Sequence, residues 1–226
     1  MIKLARAKAY YSIGVPFEAS WLPRLRSVAP DIALVATDAG IEKRPIDFHS
    51  HHGTVSEHSV DRRAIADPHI WLSPPLVRQQ AEHIARSLRS LLPAHAEEIS
   101  RRLSLFTEKL DRLNRSLHQI FQQKKGLHFM VFHPSWGYFA DEYGLRQEPV
   151  EFAGKSPKPA QLAELVRAAR ADGVQAILVQ PQFSSKSAEL VAKEIGGEVV
   201  IADPLAADWV ENLQRVSLLI AGAAGK

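Results

Sequence analysis

The sequence predicts an α/β protein with two lobes, each built around a mostly parallel β-sheet flanked by helices and joined by one long linker helix. Two observations predict this class. Short apolar runs typical of strands alternate with segments whose apolar residues recur at helical spacing, and the middle of the chain contains one long segment with uninterrupted helical spacing. The predicted division places an incomplete first lobe at residues 1–93, the linker helix at 94–124 and the second lobe at 125–226. No stretch is apolar and long enough to predict a transmembrane helix.

The first lobe begins with a predicted βαβ unit. Apolar runs at 9–14 and 32–36 are typical of buried parallel strands, and a helical pattern at 17–28 lies between them. A polar loop without hydrophobic period fills 37–66, and 76–92 returns to helical spacing. Only two strands are clear, and the first residues resemble the end of a helix without a signal peptide. We therefore expect the start to be internal to a longer protein, with the first strands missing.

The spacing of apolar residues predicts the linker helix and the second lobe. Residues 94–123 contain no proline or glycine, and their apolar residues recur at alternating steps of four and three, which predicts a helix of roughly 45 Å. The second lobe has four predicted strands and four predicted helices, at 128–132, 148–152, 176–179 and 199–201, and at 136–143, 159–171, 186–195 and 209–221. Ligands in such sheets bind at the carboxyl ends of the strands.

Composition excludes several classes of function. The net charge of +3 comes from scattered short basic pairs, which does not favour nucleic acid as a partner. The chain has no cysteine, which excludes disulfides and thiolate metal ligands. The G-x-S-x-G, H-E-x-x-H and G-x-G-x-x-G motifs are absent, so nucleophilic hydrolases, zincins and dinucleotide-binding proteins lack their defining residues.

Two histidines, His69 and His133, lie in similar settings. Each follows an apolar stretch beside a proline, which stiffens the backbone and can hold the imidazole in a fixed direction. Imidazole suits zinc, and Asp203, after the last predicted strand, offers a carboxylate ligand. Ordinary loop or core histidines are the alternative for the pair, and turn capping is the alternative for Asp203.

Other polar residues are indicated less strongly as parts of a metal site. Gln180 and Gln182 end a predicted strand and are candidates for hydrogen bonds that orient a ligating histidine, with turn formation as the alternative. A cluster of histidines in the polar loop suggests weak, transient capture of a cation, with chance enrichment as the alternative. Its members are His49, His51, His52 and His58.

Five segments, in this order, resemble the motifs of the metal-binding solute receptors of ABC importers, the zinc and manganese group. They are Asp67–Pro74, the long helix, Val131–Phe139, Gln180–Ser184 and Asp203–Leu205. The resemblance implies a metal ion held between two lobes, with His69 from the first lobe and His133 and Asp203 from the second. It also implies a further histidine that lies upstream of Met1 in a typical member, and no catalytic residues.

The resemblance also implies the cargo and the partners. Histidine at position 133, together with a histidine-rich loop, goes with zinc in related receptors, whereas a carboxylate there goes with manganese, and ligand softness agrees. Zn(II) is therefore the predicted transported ligand, with Mn(II) as the alternative. The expected partners are an ABC permease and its ATPase, and the expected protein is a monomer in the periplasm or at the cell surface, either soluble or lipid-anchored.

Two other classes of function remain as alternatives. In a zinc-dependent hydrolase, the same three ligands would leave one position open for an activated water, which requires a general base within reach. The sequence offers no obvious base beside either histidine motif. An adhesin or scaffold that carries metal only for structure is the third interpretation.

Overall fold

Parallel strands connected through helices form both sheets of the protein. The computed structural model describes residues 6–46, 66–151, 155, 157–182 and 186–223. Within these residues the strands form a two-stranded sheet and a four-stranded sheet, and all of their strand pairs are parallel. The predicted α/β class with parallel sheets flanked by helices is confirmed.

The first sheet is the predicted βαβ unit. Strand β1 (Ala9–Ser12) pairs with β2 (Ala33–Ala36), and helix α1 (Pro16–Val28) lies between them in the chain. The buried carboxylate of Glu18 explains how α1 starts, because its Oε2 accepts the backbone N–H groups of Gly14 at 2.7 Å and of the two neighbouring residues. The carboxylate satisfies donors that would otherwise have no partner at the start of the helix.

Two longer helices follow. Helix α2 (Pro74–Leu91) begins with two prolines, which fit the first turn because their missing N–H groups would have no helical partner there. Helix α3 (Ala96–Phe121) is the predicted long helix, with 26 residues, and a 3₁₀ turn at Pro93–His95 precedes it. Its buried apolar residues are Leu110, Leu113, Leu117 and Phe121, whereas Phe106 is 38% exposed. The apolar stripe is therefore most deeply buried towards the end of the helix.

The second sheet has the strand order β4-β3-β5-β6. Its strands are β3 (His128–Val131), β4 (Arg146–Pro149), β5 (Ala176–Val179) and β6 (Glu198–Ile201). Its helices are α4 (Gly137–Tyr143), α5 (Pro159–Ala171), α6 (Lys186–Ile195) and α7 (Trp209–Ala223). Strand β4 starts two residues before its predicted start at 148, because pairing with β3 brings a polar edge segment into the ladder that an apolar pattern does not reveal.

The order of these strands creates a crevice at their carboxyl ends. From β3 the chain moves to β4 on one side and then returns to β5 on the other, so the direction of winding reverses beside β3. Ligands of open α/β sheets bind at such a switch point. Residues just past the four strand ends are His133, Glu151, Gln180 and Asp203.

The chain divides into two compact units. The first combines the described residues up to Lys43 with Ser73–Asn114, and the second combines the described residues of 44–72 with those from Arg115 onward. The segment with His69 thus belongs to the same unit as His133, whereas the sequence assigned them to different lobes. Lobe boundaries at 93 and 124 stay a prediction. No helix among the described residues is both long and apolar enough to cross a membrane.

Candidate metal centre

His69 follows a short piece of paired backbone. Pro45 and Ala66 form an isolated antiparallel bridge, and the N–H of Asp67 donates to the carbonyl of Arg44 at 2.8 Å. A 3₁₀ turn at Ile70–Leu72 follows His69, and the side chains of Ile70 and Leu72 have no exposed surface. The backbone on both sides of the histidine is therefore fixed by the fold.

The side chain of Asp67 is wholly buried and holds His69 by two contacts. Its Oδ1 accepts the backbone N–H of His69 at 2.9 Å and lies 2.7 Å from Nδ1 of the ring. Because an ionised carboxylate only accepts hydrogen bonds, Nδ1 carries the proton and Nε2 keeps its lone pair. The imidazole, with 12% of its side chain exposed, is presented in the tautomer that coordinates metals through Nε2.

Arg44 compensates the buried charge of Asp67, and Tyr138 binds the backbone of both residues. The guanidinium Nη1 of Arg44 lies 3.6 Å from Oδ2 of Asp67, and its Nε lies 2.9 Å from Asp141. The hydroxyl of Tyr138 donates to the Asp67 carbonyl at 2.8 Å and accepts the Arg44 N–H at 3.2 Å. Burial raises the pKa of Tyr138 to about 12, so the phenol stays protonated and remains a donor.

Gly137 has no side chain, which leaves room for the guanidinium of Arg44 beside Asp67. A Cβ at position 137 would overlap the guanidinium of Arg44 and lie 3.1 Å from Oδ2 of Asp67. We expect Gly137→Ala to displace the guanidinium and to lower the free energy of unfolding by about 1–3 kcal/mol, measured by urea denaturation. Gly222→Ala is the matched control, because a Cβ there meets nothing within 4 Å. Equal stability of the two variants would contradict this role of Gly137.

His133 lies two residues beyond the end of β3 and is held in the same way as His69. Its Nδ1 is 2.7 Å from Oε1 of Glu151, whose side chain is 2% exposed. The carboxylate again places the proton on Nδ1 and leaves Nε2 of the ring, which is 25% exposed, as the atom with the lone pair. Both histidines therefore have a carboxylate partner at Nδ1.

Amide side chains support the backbone around His133. The Gln180 amide donates to the carbonyl of His133 at 3.2 Å and to the hydroxyl of Ser135 at 2.9 Å. The N–H of Trp136 donates to Oε1 of Gln147 at 2.7 Å. Gln180 thus holds the main chain at the histidine, while the orientation of the ring comes from Glu151.

The two imidazoles lie against each other within the second unit. The ring centroids of His69 and His133 are 5.4 Å apart, and the ring planes meet at 73°. The rings come from segments 64 residues apart in the chain, and carboxylates bind both of them through Nδ1. Two imidazoles, each oriented by a carboxylate, therefore lie side by side.

Asp203 follows β6 and has its own hydrogen bonds. Its Oδ1 accepts the N–H of Leu205 at 2.9 Å and the amide of Gln182 at 3.2 Å. Its carbonyl accepts the side-chain amide of Asn212 at 2.7 Å. Gln182 thus contacts Asp203, and its role in orienting a ligating histidine stays a prediction.

The structure tests the grouping of the candidate ligands only in part. In the described residues, no group of three or more His, Asp or Glu side chains is placed to hold a metal ion, so Asp203 as a third ligand stays a prediction. The four histidines predicted as a capture cluster, at 49, 51, 52 and 58, lie outside the residues that the structure describes.

Two functional candidates did not emerge from the sequence, Asp67 and Glu151. Asp67 lies two residues before His69 in the Asp-Pro-His motif, so the motif itself was the available signal. Glu151 lies 18 residues after His133, and its contact depends on β3 and β4 being neighbours. Only the sheet order reveals that second carboxylate.

Comparison with known proteins identifies relatives of the chain. A family model described as zinc-uptake complex component A, periplasmic, matches residues 1–220. The high-affinity zinc uptake system protein ZnuA of Bacillus subtilis (strain 168) is 32% identical over 143 residues, which are 62% of this chain and 44% of that protein. The chain spans about half the length of some of the curated relatives that it matches and about a third or less of others.

Solved structures give the same result over nearly the whole chain. A crystal structure of ZnuA has a TM-score of 0.87 and 38% identity, covering 99% of this chain and 82% of that one. A ZnuA deletion mutant with zinc bound has a TM-score of 0.86 and 39% identity, covering 99% and 81%. The chain therefore belongs to the periplasmic zinc-uptake component A family, the ZnuA family.

Proposed function

We propose that this protein is a receptor that captures Zn(II) and delivers it to an ABC-type permease driven by a separate ATPase. Nε2 of His69 and Nε2 of His133 are the proposed ligands from the paired imidazoles, and Asp203 is the proposed carboxylate ligand. The observation that carries the proposal is the imidazole pair itself, because both Nδ1 atoms contact buried carboxylates and the two rings lie side by side. Carboxylate partners of this kind are usual for histidines that bind metals.

The spacing of the rings supports zinc as the cargo. Two imidazoles bound at 2.0–2.1 Å to one tetrahedral zinc ion have centroids about 5.2 Å apart. The centroids of His69 and His133 are 5.4 Å apart, which is close to that separation. Imidazole ligands also favour zinc over manganese, which prefers oxygen.

A receptor accounts for the site better than a hydrolase. The ZnuA family consists of solute-binding receptors, and the protein is not an enzyme. The buried carboxylates nearest to the imidazoles, Asp67 and Glu151, contact Nδ1 atoms and orient the rings. We propose that the receptor acts in the periplasm or at the cell surface, where an importer collects its cargo, and that it acts as a monomer.

Zinc affinity is expected to fall as the pH is lowered from neutral towards acidic values. Protons compete with the metal for Nε2, and a protonated imidazole cannot coordinate. Titration of the protein with zinc against a chromophoric chelator at each pH measures this dependence, with the affinity of the chelator corrected for its own protonation. An affinity that does not change over this range would exclude imidazoles as the dominant ligands.

Calorimetric titration of the metal-free chain with zinc tests the proposed function as a whole. We expect one zinc ion per chain at the imidazole pair. A chain that releases no heat with zinc and does not compete with the chelator for it would contradict the receptor function.

A further inference from the structure

Two tryptophans tie the segment of His69 to the loop that carries Asp203. The indole N–H of Trp71 donates to the carbonyl of Pro204 at 2.8 Å. In return, the indole N–H of Trp209 donates to the carbonyl of Trp71 at 2.9 Å. Each bond joins residues more than 130 positions apart in the chain, so together they fix the two segments relative to each other.

The loop after β6 is held by a few hydrogen bonds outside the strand ladder, and the two indole bonds are among them. The N–H of Ala202 still bonds to the carbonyl of Val179 at 3.0 Å, which is the last contact of the strand ladder. Past that point Asn212 holds the Asp203 carbonyl, and Leu205 is already 64% exposed. Pro204 directly follows the proposed ligand in the chain, and the indole of Trp71 donates to its carbonyl.

Trp71 also contacts the proposed ligand His69. The two rings meet edge to face, with centroids 5.2 Å apart. The neighbours of Trp71 in the chain, Ile70 and Leu72, have no exposed surface and anchor its backbone. One rigid side chain therefore touches an imidazole on one side and the peptide next to Asp203 on the other.

We propose that Trp71 is a positioning residue for the metal: its bond to the Pro204 carbonyl fixes where the Asp203 carboxylate lies relative to His69. This inference rests on the proposed function, in which both residues bind zinc. An indole has a single donor and few rotamers, so it sets a distance more firmly than a flexible side chain would. Loss of the donor removes one of the contacts that hold the loop and lets the Asp203 carboxylate shift relative to His69.

A double-mutant cycle tests the role of Trp71. Zinc affinity is measured for Trp71→Phe, which keeps an aromatic ring beside His69 but removes the donor, for Asp203→Asn, and for the double variant. We expect Trp71→Phe to weaken zinc binding roughly tenfold or more, as loss of a residue that supports a metal ligand does. In the Asp203→Asn background the same change should have little further effect, because it acts through Asp203. Trp21→Phe, in the first unit beside Tyr10, is the matched control and should bind zinc as the parent does.

Cobalt(II) in place of zinc gives a second readout that a loss of stability alone does not alter. The visible absorption of bound cobalt depends on its ligands, so the Trp71→Phe spectrum should shift towards that of Asp203→Asn. Additive losses of zinc affinity, or a Trp71→Phe spectrum identical to that of the parent, would overturn the positioning role and leave the receptor function standing. A parent chain that binds no zinc would overturn both.

Discussion

Alanine at both His69 and His133 is expected to abolish specific zinc binding. A four-ligand zinc site contributes about 10–16 kcal/mol of binding free energy, so each ligand accounts for roughly 3 kcal/mol. That is more than a hundredfold in affinity for each histidine, since 1.4 kcal/mol is tenfold. Calorimetry and chelator competition measure the loss for each single variant and for the double variant.

The control for this prediction is His118→Ala. His118 belongs to the same unit, its side chain is 51% exposed, and it lies 3.2 Å from Glu142 without contacting either candidate ligand. We expect it to leave zinc affinity unchanged. A double variant of His69 and His133 that binds zinc as tightly as His118→Ala would contradict the proposed site.

Alanine at Asp67 is expected to affect both stability and zinc binding. The carboxylate is wholly buried, contacts His69 through Oδ1 and faces the Arg44 guanidinium through Oδ2. Removing one partner of a buried charge pair costs about 3–5 kcal/mol, because the other charge loses its compensation. The ring of His69 also loses the acceptor that fixes its tautomer, which should weaken zinc binding roughly 10- to 100-fold.

Urea denaturation without metal and chelator competition with zinc separate the two effects of Asp67→Ala. Asp111→Ala is the control, because Asp111 also pairs with an arginine, Arg78, at 2.7 Å, but both side chains are more than 40% exposed. An exposed pair contributes little to stability, and this one is remote from the imidazoles in the chain. Equal losses of stability in the two variants would show that the buried charge of Asp67 is not what stabilises this segment.

Most of the fold was predictable from the sequence because the apolar residues of most elements follow clear patterns. The long helix and the helices of the second unit repeat apolar residues every three or four positions, and β3 and β5 are short apolar runs. Strand β4 was placed two residues too late because Arg146–Pro149 is largely polar. Its conformation comes from pairing with β3, which no local pattern records.

The metal site was predictable only in part, for a related reason. Strand ends and proline motifs pointed to His69, His133 and Asp203. The carboxylates that orient the imidazoles depend on tertiary contacts, of Glu151 across the β3–β4 pair and of Asp67 with Arg44. Arg44 in turn needs Gly137, which lies 93 residues further along the chain. Such contacts arise from the folded chain and leave no periodic signal in the sequence.

X-ray absorption at the zinc edge, recorded on the zinc-loaded chain, determines which atoms bind the metal. We expect a first coordination shell with two imidazole nitrogens at about 2.0–2.1 Å together with oxygen ligands. We also expect the scattering typical of imidazole to be lost when His69 and His133 are both replaced by alanine. A shell made of oxygen ligands alone, or an imidazole signal that survives in the double variant, would contradict the proposed zinc site.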